Sequence, residues 1–404
     1  MDKKFKIILL IYLTFVVPFF YIKTIEIIYI TLLGVLFSIY LLKNNYKLVT
    51  LIKTPMKYYL IFLFISLISE ITLLLTNYEV FMMFFTGYFR IWIYFVLMLF
   101  VLTVSKEENF FEELVSAIIL SSFIPNIIGL LQFKFNIFTI IHSLEGQTRL
   151  GSTFSHPNFY GYYLVIVIIC LLYKKDSITN GSKRYFINLY FTINLILLIF
   201  THTRTTLIVL LIILLFRLFR YAFSKNKLFT ISVLIFSTLL LIITLFFLLN
   251  SNIFLTSRFN VSANSGSFSW RIGRWKSAIG YWVKSMEYIL FGCGWLTSRE
   301  FTIEPGYRTF NMHNEFLRLI FDTGILGFIA YATFFVKIIA KTIKFHLNKE
   351  KMNLLCSLTI LLVVACSDDN LLIVPENCIY IILLYTAIYA LGYWKSINGG
   401  EDKQ

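Results

Sequence analysis

The sequence predicts an all-α, polytopic integral membrane protein, and three observations carry that prediction. Hydrophobic residues fill 58% of the 404 positions and charged residues only 14%, well under the roughly 25% charge of an ordinary soluble domain. Apolar runs such as 185–200 and 228–249 approach the roughly 20 residues that cross a hydrocarbon core as helix, whereas barrel strands would show short alternating segments. Lys and Arg collect in short clusters between these runs, as expected of loops that alternate across a bilayer.

Taken in order, the apolar runs give about 12 transmembrane helices, near 7–21, 25–42, 58–75, 80–103, 110–133, 159–173, 185–201, 205–219, 228–249, 316–336, 353–367 and 375–394, in a single integral membrane domain over 1–404. The first run follows "MDKKFK" and has no small-residue cleavage site behind it, so it is expected as a retained span and not a removed signal peptide. With that N-terminus in the cytoplasm, 23 of the 36 Lys and Arg residues fall in inside segments, 12 in outside segments and Arg90 within a span. The positive-inside rule then places both termini in the cytoplasm of a multi-pass inner (plasma) membrane protein. The +15 net charge is thus partly topological, with inner Lys residues facing anionic membrane lipids; no nucleic-acid partner is implied. The five cysteines form neither a CxxC pair nor a Cys/His cluster, which argues against a disulfide framework and a zinc site.

Two outer segments interrupt the alternation, and no internal repeat of the kind many transporters carry is visible. One is 134–158, ending in "RLGSTFSHPN"; the other is the long extracytoplasmic loop 250–315. That loop opens with the turn-prone "SRFNVSANSGSFS" and continues "WRIGRWKSAIGYWVKSMEYILFGCGW". Trp275, Ile279, Trp282, Val283 and Met286 recur at helical spacing, which predicts a helix at the membrane surface with its aromatics at headgroup level, followed by a turn at "GCGW". Loops held by a rigid scaffold are where functional groups concentrate.

Most outer basic residues are Arg, which the topology rule does not explain. Arg204, in "FTHTRTT", is either a snorkelling side chain or an anion ligand whose fork of donors matches phosphate oxygens. Arg271 and Arg274 would share one helical face, solvated or ligand-binding. For Arg258 and Arg149 the plain surface role is preferred. His313 precedes Asn314 and Glu315 at the mouth of a span; Asn314 suits a helix cap, while imidazole exchanges protons near neutral pH. Arg90 and Glu70 lie within spans, where isolated charges are costly, so they are expected to pair or to face a cavity. Asp368 and Asp369 fit an outer turn, with a metal site a lesser alternative.

In order and spacing, "RLGSTFSHPN", "THTRTT", "WRIGRWKSAIGYW" with "FGCGW", and "MHNEFLRLIFDTGILG" resemble the O-antigen polymerase and ligase superfamily, the Wzy-type polymerases and WaaL-type ligases, over roughly 145–335. The resemblance implies a GT-C-like architecture and a glycosyltransferase without cofactor or metal. Its partners would be undecaprenyl-diphosphate-linked oligosaccharide as donor and acceptor, with a chain-length regulator protein a further one. Matched residue by residue, it implies Arg204 and Arg271 at the diphosphate and His313 at the acceptor hydroxyl. Arg274, Arg258, Arg149, Arg90 and Asn314 are further substrate-binding candidates. The family often carries Ser, Gly, Arg before the loop Trp where this chain has "FSWR", so Arg271 and Arg274 both stay open. Capsular or O-antigen polymerase is the leading expectation, with O-antigen ligase and lipid-linked glycan transporter as alternatives.

Overall fold

A computed structural model describes residues 2–19, 23–43, 54–105, 108–135, 149–223, 267–299, 312–345, 347–368 and 375–401. Every regular element among them is helical: α1 Asp2–Phe15, α2 Lys23–Lys43, α3 Met56–Thr76, α4 Tyr78–Val104, α5 Glu108–Ser121, α6 Phe123–Phe135, α7 Pro157–Ser177, α8 Gly181–Phe200, α9 Arg204–Phe223, α10 Ser267–Trp282, α11 Met286–Phe291, α12 Glu315–Lys344, α13 Lys349–Asp368 and α14 Pro375–Glu401, with short 3-10 turns at Val17–Phe19 and Thr297–Arg299. Nine stretches among the described residues are long and apolar enough to cross a membrane, and each coincides with an expected span. Of the other three, 7–21 forms the 14-residue α1 and the 3-10 turn around Pro18. The span 25–42 forms α2, and 228–249 lies outside the described residues.

Hydrogen bonds sort the ends of the spans. At one end, Lys6 pairs with Glu113 at 2.8 Å, Lys174 with Glu112 and Arg217 with Asp176 at 2.5 Å, while Arg220 donates to Asn353 at 2.7 Å. Here the first turns of α1, α5 and α13 meet the last turns of α7 and α9. At the other end, the loop end, Asn377 Nδ2 at the start of α14 donates to Phe159 O at the start of α7 (3.1 Å). Asn314 Nδ2, before α12, donates to Ser367 O at the finish of α13 (3.2 Å). Both chain termini therefore lie away from the loop end.

α7 and α14 form the centre, with Tyr160 to Tyr173 and Cys378 to Leu391 buried throughout. A helix covered on all sides must be apolar all round, and both sequences are. The polar groups that remain find partners inside the bundle: Tyr163 meets Ser121 at 2.7 Å, and Asn126 joins Asn194 and Tyr160, each at 3.1 Å. Without water to serve them, such groups must be satisfied internally.

Candidate functional site

Two corners are built at the loop end. In the first, Leu150 N donates to Phe200 O at 3.1 Å, laying the "RLGSTFSHPN" segment against the turn between α8 and α9. Arg149 fastens it: Nε donates to Thr201 O (3.0 Å) and Nη2 to Asn158 Oδ1 (2.8 Å) and Thr203 Oγ1 (3.2 Å). His156 caps α7, its Nδ1 accepting from Asn158 N at 3.1 Å, with Pro157 following, where a missing N–H costs nothing. Arg204, half-buried, opens α9 directly after this turn.

The second corner joins the long loop to α12. Helix α10 carries Arg271 half-buried and Arg274 buried at 6% exposure. One residue on, Trp275 Nε1 donates to Met312 O at 2.8 Å, so the Arg-bearing helix is bonded to the residue before His313. Ala278, Met312 and Phe321 form a small core under this contact, with Tyr281 and Leu317 against it. The indole of Trp275, expected at headgroup level, is thus turned onto protein, while Ile279 on the same helix and Val283 just beyond it remain exposed. Burial pulls the Arg274 guanidinium below its ordinary pKa, and burial first, then Tyr288, pushes the Tyr281 phenol up to about 12. His313 holds φ of 50°, and Asn314 caps the following helix, its Oδ1 accepting from Leu317 N at 3.0 Å.

Helix α12 is interrupted. Gly324 takes φ 68°, ψ 180°, a backbone region open essentially only to glycine, dividing the helix into a short segment behind His313 and a long one beyond. Carbonyls just before such a break lose their helical donors, and the "GCGW" turn replaces them: Cys293 N donates to Phe321 O (2.9 Å) and Gly294 N to Asp322 O (3.1 Å). The approach is too close for side chains, since a Cβ on Gly324 would stand 2.3 Å from Leu290 O and one on Gly292 2.4 Å from Thr323 N.

Arg318, 1% exposed, is enclosed behind this turn. Its Nε donates to Glu315 Oε1 (3.0 Å), its Nη1 to Asp322 Oδ2 (2.8 Å), and its guanidinium carbon lies 4.5 Å from the centre of the Trp295 ring. The Asp322 carboxylate also accepts from Leu296 N (3.0 Å) and Ser298 N (3.1 Å). Glu70, expected to pair with Arg90 or to face a cavity, accepts at Oε1 from Trp295 N, and its Oε2 has no partner among the described residues. Arg90 is half-buried on α4, within electrostatic range of Cys378, as are Glu315 and Arg318.

The candidates therefore fall into two groups: Arg149 and Arg204 at the first corner, and Arg271, Arg274, His313 and Asn314 at the second. Arg258 and Asp369 lie outside the described residues. The buried set Glu70, Trp295, Glu315, Arg318 and Asp322 was not singled out from sequence as one site; the signal available was an Arg with carboxylates three residues before and four after it on one helical face. Among the described residues, the four non-glycine positions with positive φ, Ser152, His202, Leu296 and His313, all fall in these corners. Such strain costs on the order of 1 to 3 kcal/mol each and clusters at functional sites.

No curated protein matches the chain significantly. Residues 189–332, which run from α8 through the long loop and past the break in α12 and include Arg204, Arg271, Arg274, His313, Arg318 and Asp322, match the family model described as O-Antigen ligase (Wzy_C). Over that segment the chain is similar to the O-antigen polymerase and ligase superfamily, as its motifs imply.

Proposed function

We propose that this chain is a polysaccharide polymerase that joins undecaprenyl-diphosphate-linked repeat units of an O-antigen or capsule on the outer face of the inner membrane. The observation that carries the reading is the Trp275 to Met312 bond, which sets the Arg271 and Arg274 helix beside the His313 turn. In this reading the acceptor hydroxyl attacks the anomeric carbon of the donor sugar, and the bond from that carbon to the diphosphate oxygen breaks with its electron pair leaving on the diphosphate. His313 takes the hydroxyl proton. Arg271, with Arg274 and Arg204, holds the phosphate oxygens; each charge-assisted hydrogen bond of this kind contributes about 1.5 to 3 kcal/mol. The sugar arrives already activated, so no nucleotide is needed, and in this reading the arginines supply the charge stabilisation a metal would otherwise give.

A second reading, O-antigen ligase, is favoured by the description of the matching family and uses the same donor chemistry. The glycan profile of a deletion strain separates the two. Single repeat units on the lipid A core are the expected result; a core bare of glycan would identify a ligase, and an unaltered profile would overturn both readings. Complementation with His313→Ala, Arg204→Ala or Arg271→Ala should restore the protein but not the long chains, with full restoration by all three removing these residues from the mechanism.

A further inference from the structure

We infer that Asp322 is a positioning residue, which clamps the end of the long loop into the break of α12 and thereby holds the Arg271 and Arg274 helix in register with His313. The inference rests on the glycosyl-transfer reading above for its effect on rate, but the clamp itself stands on geometry. Both the carboxylate and the carbonyl of Asp322 serve this junction. One carboxylate oxygen accepts from Leu296 N and Arg318 Nη1, and the other from Ser298 N. Its carbonyl accepts from Gly294 N and from Ser69 Oγ of α3 (2.9 Å).

The loop residues gripped in this way, 294–298, follow α11, which abuts the break through Leu290. Tyr281 at the end of α10 stacks on Tyr288 of α11, with ring centres 5.6 Å apart, and lies 6.1 Å from Phe321, one residue before the clamp. On the other side of Asp322, Arg318 ties it to Glu315, and Glu315 directly follows the Asn314 cap and His313. The charged groups packed around the clamp are Glu70 on α3, Glu315, Arg318 and Asp322 on α12, and Arg90 on α4 within reach of Cys378. They form no group of three His, Cys, Asp or Glu side chains suited to a metal ion among the described residues.

Replacing Asp322 by Asn keeps its size but puts an N–H₂ group where one oxygen accepted, so either a loop N–H or Arg318 loses its partner. A displacement of about 1 Å at a reacting pair costs about a hundredfold in rate. Purified full-length protein, assayed with lipid-linked repeat units and with lipid A core as acceptors, should show kcat reduced by about a hundredfold in Asp322→Asn with KM for the donor within about threefold, since the phosphate ligands remain on α10.

An activity-independent arm follows alkylation of Cys293 by a maleimide, in a background with the other four cysteines replaced by Ser or Ala. Cys293 N is bonded to Phe321 O, and burial first, then the Asp322 charge, holds its thiol above the ordinary range. Asp322→Asn should therefore speed alkylation at least tenfold. Ser298→Pro, which deletes one clamped N–H and leaves α12 intact, should shift both readouts in the same direction by less, and decides the matter if Asp322→Asn does not fold. Unchanged alkylation in the folded variants would overturn the clamp, and faster alkylation with wild-type kcat would overturn positioning. Failure of the wild-type protein to use either acceptor would instead overturn the functional reading, leaving the clamp to the alkylation arm.

Discussion

The two corners at the loop end are each fastened by an arginine, and they use it differently. Arg149 donates to a backbone carbonyl, an amide and a hydroxyl, all neutral, at a half-buried position. Arg318 is fully enclosed and donates to two carboxylates. A guanidinium bonded to neutral acceptors works as a peg whose removal costs a few ordinary hydrogen bonds. A guanidinium sealed in with carboxylates is part of a charge balance, and its removal strands the anions. The first corner is accordingly a docked loop, and the second is a knot on which the interrupted helix depends.

The sharpest way to break this contrast is to remove each arginine. Arg318→Ala should destabilise the protein by about 3 to 5 kcal/mol, a large share of the roughly 5 to 15 kcal/mol that holds a folded protein together. Little monodisperse protein should then be recovered in detergent. Arg149→Ala should cost about 1 to 3 kcal/mol and still yield folded protein with a lowered thermal midpoint. Equal losses would erase the distinction between peg and knot.

A smaller effect should separate the glycines of the same two regions. Gly324→Ala places a Cβ 2.3 Å from Leu290 O at a φ of 68°, a conformation that alone costs about 1 to 3 kcal/mol for an L side chain, so its thermal midpoint should fall sharply. Gly161→Ala, within α7 beneath the first corner, meets Thr206 at 3.1 Å. There a gain of about 1 kcal/mol in helix propensity offsets the crowding, and the midpoint should hardly move. A tolerated Gly324→Ala would show that the break in α12 can heal.

The smallest expected change is at the cap. Asn314→Ala removes the acceptor for Leu317 N and the bond to Ser367 O, a loss of about 1 kcal/mol visible as a modest drop in midpoint. Abolished transfer with an unchanged midpoint would instead place Asn314 at the substrate.

Much of the first corner was legible in the sequence. "FTHTRTT" and "RLGSTFSHPN" are polar islands between apolar runs, and an island at a span end has to be a turn. Their mutual docking through Arg149 was not legible, because Thr201, Thr203 and Asn158 are unremarkable residue types whose partner lies some fifty positions away in the case of the threonines. At the second corner the helix with Trp275 and the "GCGW" turn both follow from spacing and glycine chemistry. The partner of Glu70 did not: two intramembrane charges were expected to pair or to face a cavity, and the carboxylate accepts from a backbone N–H at Trp295, 225 residues later.

By itself the sequence determined the class, nine of the spans and the polar motifs, because these depend on local composition: about 20 apolar residues must become helix in a bilayer, and an arginine or histidine at a span end stays near water. Only the tertiary structure decided which motifs meet. The break at Gly324 is invisible as such in "FDTGILG", since a lone glycine in an apolar run is ordinarily tolerated; it becomes a break because the backbone of Leu290 occupies the space a continuous helix would need, and because Cys293 and Gly294 supply donors for the carbonyls it frees. Likewise Arg318 is a costly charge in sequence and a neutralised one in space: Glu315 and Asp322 flank it on its own helical face, but only the loop that closes over them seals all three from solvent.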